Sequence, residues 1–185
     1  MSKIPQKIIN FLDKSKIKYE PIKHRTVYTA HDKAATLKVK PNIIGKTLVL
    51  KTDKDLVIAL IPGNKNLDKN KFKKVVNDWL RLRPASTKVS AGKQGFGGQG
   101  KKTIKSIDFV SETIMKNKFK GIKVGAVPPF GSLFKLPTFV DRGLINQSKI
   151  IVNSGNYNWS IKINPTSFKK IVPDLVIGNF GKTKK

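Results

Sequence analysis

Cysteine is absent from this chain of 185 residues, and acidic residues are scarce. The lack of cysteine excludes disulfide bonds, thiolate nucleophiles and zinc–thiolate sites. The two histidines, His24 and His31, do not have the spacing of metal ligands on one helix, so we expect no metal site and no cofactor. The chain has only 11 Asp and Glu residues, so the sequence does not favour general acid–base catalysis by a pair of carboxylates.

Long hydrophobic runs are missing as well. No apolar run approaches the roughly 18 residues that cross a bilayer, and residues 1–10 lack the apolar core of a secretory signal. We therefore expect a cytoplasmic protein with no membrane partner, and the lack of cysteine suits a reducing compartment.

Positive charge dominates the composition. The chain has 38 Lys and Arg residues and a formal net charge of +27. A surface of this charge attracts polyanions, and lysine is better suited to contacting phosphates than to reading bases. The basic residues are spread along the chain, which favours a nucleic acid over a membrane surface as the partner. A lysine-rich proteome is the alternative explanation, and composition leaves it open.

The length predicts a single domain over residues 1–185. Hydrophobic spacing and capping residues predict helices at 4–15 and 29–37, then after Asp68, from Ser106 and from Asn164. Strands are predicted at 17–22, 47–51, 56–61, 138–140, 149–153 and 158–163. A basic, glycine-rich insertion at about 83–105 offers little apolar surface to order it. Short hairpin connections favour an α+β fold, with a mixed, curved, barrel-like sheet and surrounding helices, over a doubly wound parallel one.

Two segments carry most of the functional signal. Residues 125–131 read Gly-Ala-Val-Pro-Pro-Phe-Gly, a stiff loop able to hold backbone amides close to a ligand. Lys46, in Gly45-Lys46-Thr47, would supply a positive charge. A P-loop is a poor interpretation, because that motif runs from strand to loop to helix whereas Lys46 enters a strand. Taken singly, a tight turn and a snorkelling lysine remain the alternatives.

Eight segments together carry a resemblance to a known family: 19–24, 27–30, 45–50, 57–63, 67–68, 123–131, 137–141 and 151–155. Their residues, order and spacing resemble the YbaK/prolyl-tRNA synthetase-associated domain family of aminoacyl-tRNA editing deacylases. The resemblance implies hydrolysis in trans of the ester of mischarged tRNA, with Cys or Ala on tRNA for proline as the expected substrates. The partners would be aminoacyl-tRNA and prolyl-tRNA synthetase.

The resemblance also implies roles for individual residues. Lys46 would be catalytic, by engaging the terminal phosphate or polarising the ester, while a ribose hydroxyl of the substrate activates water. The implied substrate-binding residues are Gly125, Ala126, Val127, Pro128, Pro129, Asp141, Ser154 and Gly155, with Asn153 in a matched segment. For Asp141, Ser154 and Gly155 a turn-forming role is equally open, and His24 is more typical of a packed histidine.

The insertion is the main departure from the family pattern. Its lysines would add contacts to tRNA phosphates, and Phe96 would stack on an exposed base, or the segment is inert. Two other functions remain open for the whole chain: a catalytically silent tRNA-binding module of the same fold, acting as a regulator or synthetase partner, and a general nucleic-acid-binding protein.

Overall fold

The computed structural model describes residues 3–53, 55–82 and 103–183. Residues 83–102, including Phe96, lie outside them, so the predictions for that part of the insertion stay predictions. The helices are α1 (Gln6–Lys14), α2 (Ala30–Thr36), α3 (Lys69–Leu82), α4 (Glu112–Lys118), α5 (Gly131–Phe134), α6 (Arg142–Ile145) and α7 (Pro165–Ile171). None of them has the length and hydrophobicity that a bilayer crossing requires.

The described strands form three sheets. In chain order they are β1 (Tyr19–Lys23), β2 (Gly45–Thr52), β3 (Leu56–Pro62), β4 (Lys65–Leu67), β5 (Ile107–Phe109), β6 (Thr138–Asp141), β7 (Ile150–Asn153), β8 (Trp159–Ile163), β9 (Val176–Gly178) and β10 (Gly181–Thr183). The largest sheet has the order β5-β2-β3-β6-β9, the second is β1-β8-β7, and β4 pairs with β10.

The largest sheet is mixed. The predicted hairpin of β2 and β3 is confirmed as an antiparallel pair, whereas β3–β6 and β6–β9 are parallel. A parallel bridge joins Ile44, the residue before β2, to Ile151 of β7 and so brings the largest sheet next to the second one. The α+β class is confirmed. Among the described strands the sheets do not close on themselves, so the barrel-like detail is unconfirmed.

Strand β3 is buried on both faces. Ile58 and Leu60 belong to one hydrophobic cluster, which also contains residues of α1 and α7. Val57, Ala59 and Ile61 belong to a second cluster, which contains residues of α3. Successive side chains of a strand point to opposite faces, so helices cover the hairpin from both sides. This packing gives β2, the strand that carries Lys46, a rigid support.

Local signals predicted most helix starts correctly. Helices α1, α2, α3 and α7 are confirmed, and Thr29, Asp68 and Asn164 each accept a backbone N–H of the first turn with a side-chain oxygen. Such caps satisfy amide groups that have no partner within the helix.

The helix predicted from Ser106 is wrong in its first part. Ile107–Phe109 forms strand β5 against the end of β2, and α4 begins only at Glu112, capped by Ser111. The carboxylate of Asp53 accepts the backbone N–H groups of Lys105 and Ser106 and so fixes the chain beside the sheet edge. Strand pairing with the edge of β2 therefore outweighs the helical preference that the spacing of the apolar residues indicates.

Candidate active site

A small pocket lies where four segments meet: the start of α2, the start of β2, the glycine–proline loop after α4 and the end of β7. Its volume is about 90 Å³, and Lys46, Gly125 and Ala126 all lie in its wall. The fold therefore brings the two segments with the strongest functional signal to one cavity. The lining residues are Val27, Tyr28, Thr29, Ala30, Lys33, Ile44, Gly45, Lys46, Thr47, Gly125, Ala126, Asn153, Asn156 and Tyr157.

Both the backbone and the side chain of Lys46 are held in place by hydrogen-bonded contacts. Its backbone pairs with Ile61 of the buried strand β3. The half-buried side chain reaches the carbonyl oxygen of Lys65, to which Nζ donates a hydrogen bond of 2.7 Å. A cation that is already held in place needs little reorganisation when negative charge develops beside it.

The glycine–proline loop begins with a left-handed backbone. Gly125 has φ of 80°, and no atom lies within 4 Å of the position that a Cβ would occupy. The side-chain amide of Asn153 donates to the carbonyl oxygen of Gly125 at 3.2 Å and to that of Val127 at 3.4 Å. The loop therefore keeps its shape through a side chain from β7, and glycine is required by conformation rather than by crowding.

The amides of this loop are partly used within the protein. The N–H of Ala126 donates to the carbonyl oxygen of Lys123 at 2.9 Å, and the carbonyl oxygen of Ala126 accepts the N–H of Gly155 at 2.9 Å. Val127, Pro128 and Pro129 are buried and do not belong to the pocket lining in the described part of the chain. Of the loop residues named from the sequence, Gly125 and Ala126 are the two that reach the cavity.

Ser154 and Gly155 lie behind the pocket rather than in its wall. The hydroxyl of Ser154 is fully buried and donates to the carbonyl oxygen of Trp159 at 2.7 Å. Gly155, with φ of 92°, accepts the N–H of Lys123. Both residues support the loop from the turn between β7 and β8.

Asp141 lies away from the pocket, at the end of β6, and the residue is only 1% exposed. Its carboxylate accepts hydrogen bonds from the backbone N–H groups of Gly143, Phe180 and Gly181. It also forms an ion pair with Lys65, at 3.1 Å. Burial by itself would raise the pKa of Asp141, but these donors outweigh it and hold the pKa below the usual value. Asp141 therefore ties α6, β10 and β4 together.

Lys33 is a pocket residue that no motif in the sequence singles out. It is 7% exposed, and its Nζ donates to Oδ1 of Asn153 at 2.6 Å. Burial lowers the pKa of this ammonium from 10.5 to about 8. The available signal was its place on the apolar face of α2, where it follows Ala30 by three positions and precedes Leu37 by four. A lysine on an apolar face points toward the protein interior, so its charged group needs a polar cavity there, and the pocket supplies one.

Thr47 and two tyrosines complete the wall. The buried hydroxyl oxygen of Thr47 has no hydrogen-bond partner among the described residues, which is unusual for a buried polar atom. Tyr28 is 74% exposed at the rim, with its ring centroid 4.9 Å from that of Tyr157. The hydroxyl of Tyr157 donates to the carbonyl oxygen of Val124 at 2.6 Å, so the rim is attached to the segment before Gly125.

His24 lies outside the pocket lining. Its Nε2 is 2.9 Å from the hydroxyl of Ser160, and its Nδ1 is 2.8 Å from the carbonyl oxygen of Arg25. Burial is the main cause that lowers the pKa of His24, and the charge of Lys33 acts in the same direction. These contacts are those of a packed histidine.

The pocket is cationic and polar. Lys33 and Lys46 line it together with Asn153 and Asn156, and no acidic residue belongs to the lining in the part of the chain described. Within residues 3–53, 55–82 and 103–183, no three His, Asp or Glu side chains lie close enough together to hold a metal ion. The arrangement suits a polar ligand with an anionic group or a carbonyl that gains negative charge, and it presents no carboxylate as a general base.

The fold is similar to several solved structures. One is described as a candidate trans-editing enzyme for prolyl-tRNA synthetase, with 17% sequence identity, a TM-score of 0.72, and coverage of 98% of this chain and 99% of that one. A hypothetical protein has 18% identity and a TM-score of 0.73, over 95% of this chain and 99% of the other. A candidate signal transduction protein from Marinobacter aquaeolei has 13% identity and a TM-score of 0.61, over 97% of this chain but only 31% of its own. At these identities the likeness concerns the fold.

No curated protein sequence is a significant match for the chain. The family model for the aminoacyl-tRNA editing domain does match, over residues 24–97 and 99–171. These ranges contain Lys46, the glycine–proline loop and every other residue of the pocket wall. The chain therefore belongs to the aminoacyl-tRNA editing domain family.

Proposed function

We propose that the protein is a trans-acting aminoacyl-tRNA deacylase that hydrolyses the ester of mischarged tRNA. The observation that carries the proposal is the shared cavity of Lys46, Gly125 and Ala126 in a chain of the editing family. The net charge of +27 supports a polyanionic substrate. Water adds to the ester carbonyl carbon, the bond to the ribose oxygen breaks, and that oxygen takes up a proton.

In this mechanism Lys46 stabilises the negative charge that develops on the ester carbonyl oxygen or holds the terminal phosphate. The ordered hydrogen bond from Lys46 to Lys65 supports a fixed position for that charge. The loop at Gly125 positions the aminoacyl end, and a ribose hydroxyl of the substrate orients the attacking water in place of a protein carboxylate.

The proposed substrate carries a small aminoacyl group, Cys or Ala, on tRNA for proline. A pocket of about 90 Å³ supports a small side chain. Discrimination by one methylene group amounts to only about 1–3 kcal/mol, so pocket size separates close analogues by factors of about 10 to 200. We also propose a cytoplasmic location and an association with prolyl-tRNA synthetase, which would hand over the mischarged product.

The test is the rate of ester loss from Cys-, Ala- and Pro-charged tRNA with the wild type and the Lys46→Ala variant. We expect wild-type turnover of the Cys or Ala ester and a loss of about 100-fold or more in Lys46→Ala, the scale of one removed electrostatic group. Lys51→Ala is the matched control, because Lys51 is an exposed lysine of the same strand. Equal rates for wild type and Lys46→Ala contradict the role of Lys46, and tight tRNA binding without any ester loss supports the silent binding module instead.

A further inference from the structure

A second cavity adjoins the pocket at Lys46. This groove has a volume of about 460 Å³, and Lys46 lies in the walls of both cavities. Leu48 lies two positions farther along β2, on the same face of the strand, and forms part of the groove. The other walls come from β4, the start of α3, β5 and β10. The two cavities therefore meet at the part of β2 that carries Lys46.

The groove contains an exposed aromatic side chain. Phe109 of β5 is 60% exposed, and the Nζ of Lys69 lies 5.3 Å from its ring centroid. Lys69 also pairs with Asp108 at 3.1 Å, through side chains that are 46% and 70% exposed. An exposed ring with a cation beside it is the combination that single-stranded nucleic acid sites use, because every base has a face that stacks.

The groove is also basic. Lys46, Lys69 and Lys182 come from three separate elements and surround it. Two carboxylates lie close to these lysines: Asp108 is paired with Lys69, and Asp68, itself a lining residue, accepts the backbone N–H of Lys71 at the start of α3. Three lysines against two carboxylates leave one net positive charge, which complements the single negative charge of a phosphodiester.

We propose that this groove binds the single-stranded nucleotide that precedes the terminal adenosine of the substrate RNA. Phe109, with Lys69 beside its ring, stacks on the base, Lys182 contacts an adjoining phosphate, and Lys46 lies where the nucleotide chain passes into the pocket. The volume of about 460 Å³ falls within the range of small-ligand sites, roughly 300–1,000 Å³. This inference rests on the proposed function, because it takes the 3′ end of tRNA as the ligand.

The test measures binding of an uncharged, fluorescently labelled CCA trinucleotide and of adenosine monophosphate to the full chain. We expect the wild type to bind CCA more tightly than the mononucleotide, and Phe109→Ala to weaken CCA binding about 5-fold or more, the range of one lost stacking contact. Lys182→Gln should weaken CCA binding as well. The matched controls are Ile114→Ala, which removes an exposed apolar side chain elsewhere, and Lys170→Gln on α7.

Unchanged CCA affinity in Phe109→Ala overturns the stacking site, and so does a loss no larger than that of Ile114→Ala. An effect of Lys182→Gln without one of Phe109→Ala also overturns it, since charge alone then explains binding. Because no ester is cleaved in this assay, its result is separate from the deacylation test. Binding that depends on Phe109 in a protein with no deacylase activity would support the groove and contradict the proposed function.

Discussion

The ammonium group of Lys33 donates to Oδ1 of Asn153 at 2.6 Å, and the amide group of the same Asn153 donates to the carbonyl oxygen of Gly125 at 3.2 Å. One side chain thus connects a buried cation on α2 with the glycine–proline loop, and both segments line the pocket. The charge of Lys33 and the shape of the loop are therefore coupled through Asn153.

Wild-type stability should rise relative to a Lys33→Met variant between pH 8 and 10.5. The pKa of Lys33 is about 8 in the folded protein and 10.5 as the ordinary value, so the unfolded chain binds more protons in this window. Folding then becomes more favourable as the pH rises, by about 3 kcal/mol over the whole window. Urea denaturation at several pH values gives the free energy of unfolding of both proteins. Subtracting one from the other cancels the contribution of the other lysines, which both proteins share. A difference that stays constant with pH would show that Lys33 has an ordinary pKa.

Gly125→Ala should lower both stability and deacylation. Because φ is 80°, an alanine is strained by about 1–2 kcal/mol, and a loop that shifts to relieve the strain changes its bonds to Asn153. We expect a rate loss of about 10-fold or more from the displaced loop. Thermal unfolding and ester loss from charged tRNA are the two measurements.

Gly121→Ala is the matched control for this loop. Gly121 has φ of 77° and equally no atom within 4 Å of a Cβ, but it does not line the pocket. The two variants should lose similar stability, and only Gly125→Ala should lose the additional activity. Equal rates in the two variants would contradict a positioning role for the loop at Gly125.

Asp141→Ala should destabilise the fold strongly, by about 3 kcal/mol or more, because it leaves the buried N–H of Phe180 and the half-buried N–H of Gly181 unsatisfied and Lys65 unpaired. Asp78→Ala is the control, since Asp78 forms an exposed pair with Arg81 that is worth at most about 1 kcal/mol. Chemical denaturation at neutral pH compares them. Similar losses in both variants would contradict the structural role of Asp141.

The stability that Asp141 contributes should also depend on pH in the acidic range. Its pKa is lowered in the folded protein, so its stabilisation is complete above the unfolded value of about 4 and is lost as the pH falls through the folded pKa. The stability gap between wild type and Asp141→Asn should therefore narrow below about pH 4. Denaturation curves from pH 3 to 7 measure the gap, and a gap that widens in acid would exclude a lowered pKa.

Binding of tRNA should depend steeply on salt. With roughly four phosphate contacts, affinity is expected to fall about 100-fold between about 50 and 200 mM salt. Filter binding or fluorescence anisotropy with uncharged tRNA gives the slope. Single-stranded RNA and duplex DNA serve as comparisons, because equal affinity for all three would support a general nucleic-acid-binding protein over an editing enzyme.

The longer elements could be predicted because their signals are local. Thr29, Asp68 and Asn164 cap helices through contacts with residues at most three positions away, and β3 is a continuous apolar run. Elements of three or four residues, such as β4, β9 and β10, are too short to show a period and depend on the partner strand. For the same reason the apolar spacing predicts a helix where strand β5 forms, because the pairing with β2 cannot be seen in the local sequence.

The charge of the protein, its main helices and strands, and the two segments around Lys46 and Gly125 can be predicted from the sequence, because caps, periodicity and glycine–proline stiffness act over a few residues. Which side chains share the pocket depends instead on how distant segments pack. That packing places Lys33 and Asn153 at the cavity, and it buries Asp141 against the backbone N–H groups of Phe180 and Gly181. Burial and hydrogen bonding between distant segments set the role of a polar side chain, and neither can be seen in the local sequence.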